Sequence, residues 1–153
     1  MSRSGGCQCG AVRFLVDDEL GEVSICHCRM CQKALGGVFG PYAEPKGLIW
    51  TRGERRRFRS SNKIWRGFCA DCGTPLTFEH VGGAVGLAIG AFDDPTSILP
   101  SEQLGSAHRL AWIDDIAALP THAPDEPKAA AYLAGIVSYQ HPDHDTEVWP
   151  PRD

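Results

Sequence analysis

Cys26-His27-Cys28-Arg29-Met30-Cys31 gathers three of the chain's seven cysteines within six positions. Three thiolates can grip a zinc ion and leave its fourth tetrahedral position free for a reacting group. The other four cysteines come in two pairs, Cys7-Gln8-Cys9-Gly10 and Cys69-Ala70-Asp71-Cys72-Gly73, and four thiolates close a structural site. Chemistry is therefore expected at Cys26, Cys28 and Cys31. Spacing also admits a zinc ribbon, with Cys28-x-x-Cys31 and Cys69-x-x-Cys72 as its two knuckles and Cys7, Cys9 and Cys26 left over. The first partition is favoured because no cysteine is idle, and it predicts two Zn²⁺ per chain. A zinc with an open position lowers the pKa of a bound thiol or polarises an aldehyde oxygen. Three cysteinates outweigh the charge of the ion, so thiolate delivery is the better expectation. A fourth protein ligand would instead close the site, and His27 could serve only by bending out of its strand.

Short β-rich runs bounded by turn residues must position these thiols. Strands are expected over 10–16, 23–28, 38–42, 48–51, 63–69, 74–79 and 84–92, with Gly82-Gly83 turning between the last two. Alternation along 23–28 puts Cys26 and Cys28 on one face and His27 on the other. A helical turn from Cys31 to Leu35, ended by Gly36-Gly37, would bring Cys31 round. Gly73 lets the Cys69-x-x-Cys72 turn aim backbone N–H groups at the sulfurs. Further on, 101–104 reads as a short helix and 108–113 as a strand. Asp125-Glu126-Pro127 resembles the start of a helix over 128–137. The proline-bearing stretch 138–153 reads as an extended arm.

At 153 residues and 42% hydrophobic, the chain suits one domain with a real core. Its longest apolar run, 84–92, falls far short of the ~18 residues that span a bilayer, so neither membrane insertion nor export is expected. An odd number of closely spaced cysteines suits metal sites better than disulfides and points to a reducing, cytoplasmic location. The formal charge of −4 becomes about −7 with seven thiolates and two Zn²⁺. Bulk attraction to nucleic acid is not expected. The exception is 52–59, with five of the fifteen basic residues. That run could meet phosphates or the carboxylates of a ligand, or be a solvated edge that discourages sheet aggregation, which is favoured. His141-Pro142-Asp143-His144-Asp145 offers further metal ligands but reads as a polar stretch. Trp50, Trp65 and Trp112 read as core. Glu44, Asp71 and His108 could shuttle protons, with nothing to select among them.

The C-x-C, C-x-C-x-x-C and C-x-x-C-G clusters, in this order and spacing, resemble the glutathione-dependent formaldehyde-activating enzyme family, which includes centromere protein V. Gly6-Cys7-Gln8-Cys9-Gly10, Cys26-His27-Cys28 and Phe68-Cys69-Ala70-Asp71-Cys72-Gly73-Thr74-Pro75-Leu76 carry the likeness, which runs from about Gly5 to about Pro120. It implies a mainly β, antiparallel β-tent with few short helices over 1–122. The C-terminal helix and extended tail over 123–153, packed on or trailing that domain, lie outside the likeness. It implies Cys7, Cys9, Cys69 and Cys72 as the structural zinc site and Cys26, Cys28 and Cys31 as the catalytic one. The implied activity is carbon–sulfur lyase chemistry, the reversible joining of formaldehyde to glutathione as S-hydroxymethylglutathione. A small thiol and a small aldehyde would be the partners. One fold hosts many functions, so two other readings stand beside it: a zinc-stabilised binding module for a nucleic acid or protein, and a two-zinc structural protein without catalysis.

Overall fold

Ten strands carry the architecture of the computed structural model, which describes residues 2–121 and 127–149. In chain order they are β1 (Ser2–Gly6), β2 (Arg13–Asp17), β3 (Val23–Cys26), β4 (Gly40–Ala43), β5 (Ile49–Arg52), β6 (Arg56–Arg59), β7 (Ile64–Phe68), β8 (Pro75–His80), β9 (Val85–Ala88) and β10 (Glu102–Leu104). The helices are α1 (Arg29–Leu35) and α2 (Pro127–Ala134). The expected mainly β fold is present. Three strands form one sheet in the order β1-β2-β5, and seven form the other in the order β10-β3-β4-β9-β8-β7-β6.

Alternation in β2 turns Phe14 and Val16 inward, where Phe14 meets Phe92 edge to face at 5.2 Å. Leu76 of β8 and Leu87 of β9 are also fully buried. The sheets are tied where Gly5 bridges Phe92 and the Asp93 amide donates to the Ser4 carbonyl at 3.0 Å. Gly5 is needed there, because a Cβ on it would lie 2.3 Å from the Ala91 carbonyl oxygen.

Several expectations are corrected. Ser2–Gly6 is a full strand although it is polar, because its pairing with β2 is made by backbone alone. Residues 101–104 do not form a helix: β10 pairs parallel to β3, the one parallel pairing among the described residues, whose other strands pair antiparallel. An exposed backbone ladder won there over a polar sequence. Residues 108–113 do not form a strand. Gly105, in the left-handed region at φ 65°, turns the chain into two 3-10 segments, Ser106–His108 and Ala111–Ala118, with no buried residue. Trp112 is accordingly half-exposed and not core.

Helix α2 stops at Ala134 rather than running to Val137, with Gly135 following it. The capping residues expected before it, Asp125 and Glu126, lie outside the described residues. Residues 138–149 carry no regular secondary structure, yet they are not a free arm. The His141 amide donates to the Gln8 carbonyl at 2.7 Å, and His141 is buried. Among the described residues no helix is long and apolar enough to cross a membrane.

Candidate metal centres

Turns at the ends of strands bring the thiols together in two groups. Cys7 and Cys9 precede β2, and Cys69 and Cys72 sit between β7 and β8. In each pair a glycine in the left-handed region closes the turn. The Gly10 amide donates to the Cys7 carbonyl at 3.0 Å, and the Gly73 amide to the Cys69 carbonyl at 2.9 Å. The amide of Val12 points at Cys7 Sγ from 3.2 Å. Sulfur separations are 3.6 Å for Cys7 to Cys9 and 3.8 Å for Cys9 to Cys69, and all four sulfurs lie within 4.8 Å of one another. A tetrahedron with ~2.3 Å metal–sulfur bonds has edges of ~3.8 Å, whereas a disulfide would bring two sulfurs to ~2.05 Å. The donor set and its spacing fit a four-coordinate metal ion.

Around this group runs a polar belt. Arg13, buried in β2, grips Asp93 through both terminal nitrogens, at 2.7 and 2.6 Å, and pairs with Asp145 at 2.7 Å. The Trp149 indole donates to the Cys9 carbonyl. Arg52 reaches the Gly10 carbonyl at 3.2 Å and also bonds Thr146. The His141-to-Asp145 stretch is therefore spent on holding the tail against the Cys7-x-Cys9 knuckle. Among the described residues it joins no group of metal-ligating side chains.

The second group is local. Cys26 ends β3, Cys28 caps α1, and Cys31 lies in its first turn, with the Cys31 amide 3.4 Å from Cys28 Sγ. Gly36, in the left-handed region, ends the helix as expected. The three sulfurs lie within 4.8 Å of one another, and among the described residues no fourth cysteine, histidine or carboxylate joins them. His27 is buried with Nε2 2.8 Å from the Gln103 side-chain oxygen, and although its Nδ1 has no hydrogen-bond partner, it does not join the three thiols. Gln32 donates to the carbonyls of His27 and His108 at 2.8 and 3.1 Å, fixing the loop that carries the thiols.

Burial pushes Cys31 up to about 12 against the pull of Arg66, and it pushes Cys7 up to about 12 against the Val12 amide. Burial also raises Cys28 and Cys72, but there the hydrogen bonds win. The Cys31 amide and neighbouring thiols leave Cys28 below the ordinary thiol value, and the Thr74 hydroxyl and amide leave Cys72 at about 6. Each group thus mixes a thiol that ionises readily with one that does not, and a bound divalent cation deprotonates coordinating thiols outright.

Two residues that sequence reasoning passed over stand beside the three thiols. Tyr42 of β4 and Arg66 of β7 are both buried, and the Arg66 guanidinium donates to the Tyr42 hydroxyl at 2.7 Å and to Cys31 Sγ at 3.3 Å. Burial lifts the Tyr42 phenol well above its ordinary range, so it stays protonated. A signal existed for Arg66: it interrupts the apolar face that Ile64 and Phe68 define on β7.

A cavity of about 290 Å³ opens on the same face of the large sheet, walled by Cys26, Tyr42, Phe78 and Leu104, with Glu44 and His80 among its lining. A larger cavity, about 420 Å³, adjoins Cys7, Cys72 and Arg13. Its cysteines belong to the set of four, whereas the smaller cavity borders the three-cysteine group through Cys26. Of the proton shuttles considered from sequence, only Glu44 borders it. Asp71 lies exposed between Cys69 and Cys72, and His108 contributes its carbonyl to Gln32.

The arginine run turns partly inward. Arg55 and Arg57 pair with the buried carboxylate of Glu79 at 2.5 and 3.2 Å, and Arg55 lies 4.7 Å over the Trp50 ring. Burial raises the Glu79 carboxyl, but these partners and Thr77 outweigh it and hold it below the usual carboxylate value. β6 itself is the exposed edge of the large sheet, as a solvated hairpin edge would be.

Two sheets and two cysteine groups able to hold metal ions define a mainly β protein of metal-binding type. The chain belongs to the family described as glutathione-dependent formaldehyde-activating enzyme, whose model matches residues 2–106. It is 29% identical over 80 residues to an "uncharacterized lyase" of Schizosaccharomyces pombe, an alignment covering 52% of this chain and 58% of that relative. The chain thus spans little more than half the length of that relative. The crystal structure of a Rhodobacter sphaeroides protein has a similar fold, with a TM-score of 0.50 and 21% identity over 65% of this chain and 98% of that one.

Proposed function

We propose that the chain is a zinc-dependent carbon–sulfur lyase acting on thiol adducts of formaldehyde or another small aldehyde, S-hydroxymethylglutathione being the family's example. Cys7, Cys9, Cys69 and Cys72 hold a structural zinc, and Cys26, Cys28 and Cys31 hold a catalytic one. The observation that carries this reading is the unequal pair of cysteine groups. One has four sulfurs, and the other has three with Cys26 bordering a cavity. Zinc bound by three cysteinates supplies an open position at which a thiol is favoured as thiolate.

The chain's own residues do the rest. The cavity beside Cys26 has room for a small thiol and an aldehyde, with Tyr42 and Phe78 as its aromatic walls. In the joining direction the thiol sulfur forms a bond to the carbonyl carbon, the π electrons move to oxygen, and that oxygen takes a proton. Cleavage runs the same steps backwards. Tyr42 holds a proton at its hydroxyl, whose oxygen already accepts from Arg66, and this leaves its O–H free to donate toward the cavity.

The test is spectroscopic and kinetic together. Cobalt(II) placed in the three-cysteine site reports sulfur ligation, so adding glutathione at millimolar concentration should strengthen the charge-transfer band. The same protein with zinc should speed equilibration of formaldehyde with the thiol. No change in either, with both metals bound, would sink this reading in favour of a structural two-zinc protein.

A further inference from the structure

Arg66 presents a problem in charge. It is 3% exposed, and the ion pairs among the described residues do not include it. The nearby buried carboxylate, Glu79, belongs to Arg55 and Arg57. It also points to the opposite face, since Glu79 pairs in register with Trp65 and Arg66 with Phe78. A buried cation without a counter-charge is strongly unfavourable. The guanidinium is packed 4.7 Å from the Phe78 ring and 5.9 Å from the Tyr42 ring, its Nε has no partner, and its polar contacts are the Tyr42 hydroxyl and Cys31 Sγ. Among the described residues the acidic groups that Arg66 touches are the Tyr42 phenol, which burial keeps protonated, and a thiol of the three-cysteine group.

We propose that Arg66 is the built-in counter-ion of the three-cysteine site, a positioning residue that sets how much negative charge the site can accept. The inference rests on reading Cys26, Cys28 and Cys31 as a metal site. A divalent ion with three cysteinates carries one net negative charge, and a fourth thiolate makes it two. Arg66 cancels the first of these charges from inside the fold. Its hydrogen bond to Cys31 Sγ also withdraws electron density from that sulfur, so an aldehyde is attacked by the incoming thiol and not by the ligand. Tyr42 fixes the guanidinium at the required height above the sheet.

The experiment uses the full chain loaded with cobalt(II), with chelator competition to resolve the two sites. Exchanging three thiol protons for one divalent ion lowers the charge of the site by one, a change that a unit positive charge about 5 Å away at an effective dielectric of ~20 favours on the order of 100-fold. Arg66→Gln should therefore lose ~100-fold in cobalt affinity at the three-cysteine site while the four-cysteine site keeps its own. Arg66→Lys, which restores the charge, should recover most of the loss, a rescue that simple packing would not give. Glutathione affinity, read from the charge-transfer band, should fall in Arg66→Gln and return in Arg66→Lys. Tyr42→Phe keeps the charge but frees the guanidinium and should weaken the same site roughly 3- to 10-fold. Unchanged affinities in Arg66→Gln would overturn the proposal. Should that variant fail to fold, Tyr42→Phe decides, and an unchanged second site there overturns it as well. Wild-type protein that binds a single cobalt would instead refute the three-cysteine metal site itself, and the counter-ion with it.

Discussion

The two cysteine groups differ more in what they connect than in what they are made of. The four-cysteine group joins positions sixty residues apart in sequence, Cys9 and Cys69, whereas the three-cysteine group fits within one strand end and one helical turn. Closing a long loop removes many conformations from the unfolded chain, and metal binding there is folding free energy. Closing six residues removes few. The four-cysteine group is also wrapped by Arg13, Asp93 and the tail, while the three-cysteine group faces a cavity and a single unpaired-by-carboxylate arginine. A site that ties the fold together must be complete within the protein. A site that is held by a fold already formed can leave a position for something else.

The sharpest way to break this comparison is Cys69→Ser. It should abolish cooperative unfolding or aggregate the protein, because it opens the link between the N-terminal knuckle and the middle of the large sheet. A thermal melt matching that of the unaltered chain would show that the four-cysteine group does not hold the fold.

Next in size is Asp93→Asn, which leaves Arg13 buried with one anionic partner instead of two. Removing one side of a buried pair costs about 3–5 kcal/mol when the charge left behind is uncompensated; with Asp145 still in place the loss is smaller, lowering the melting temperature by roughly 5 °C in a chain of this length. Burial raises the Asp93 carboxyl, but Arg13 and Ser4 outweigh it and hold it below the ordinary value. The unfolded chain therefore binds this proton first as pH falls. The contribution is fully present above about pH 4 and is lost as pH drops through the depressed value. Denaturant titrations between about pH 2 and 5 should show a flatter loss of stability for Asp93→Asn than for the wild type, and parallel slopes would contradict the role given to the pair.

Smallest in its effect on stability is Cys28→Ser. It should release one of two metal ions by elemental analysis while the melting temperature moves by only a few degrees, since it breaks a group whose members are already neighbours in sequence. A collapse like that of Cys69→Ser would erase the distinction between the groups.

The three-cysteine group and each pair of the larger group were readable because their members lie two or three positions apart, so turns alone bring them together, whereas joining the two pairs, sixty residues apart, rested on the family pattern. Most strands were readable from alternation for the same local reason. Tyr42 and Arg66 were not, because their contact is made across β9 and β8, the two strands that separate β4 from β7 in the large sheet. Local patterns do not record which strands lie three places away. β10 escaped because an exposed strand held chiefly by backbone pairing needs no apolar face, and Trp112 was misplaced because aromatic composition says nothing of a 3-10 segment with no buried residue.

The strap formed by residues 138–149 has a consequence for the order of assembly. It lies outside the matched family region, which ends at residue 106, yet its Trp149 and His141 sit on the knuckle at Cys7, Cys9 and Gly10. A Cβ at Gly10 would stand 2.2 Å from the His141 ring, so the fit is close. During synthesis the four thiols are all present once Cys72 has been made, but the segment that covers two of them is still roughly 4–15 s away at the usual 5–20 residues per second. The nascent chain thus passes through an interval in which the thiols are complete and uncovered. An ion held by the four thiols during that interval would face solvent on the Cys9 side as well, whereas in the finished chain the strap covers that side and Cys72 is the thiol that stays exposed.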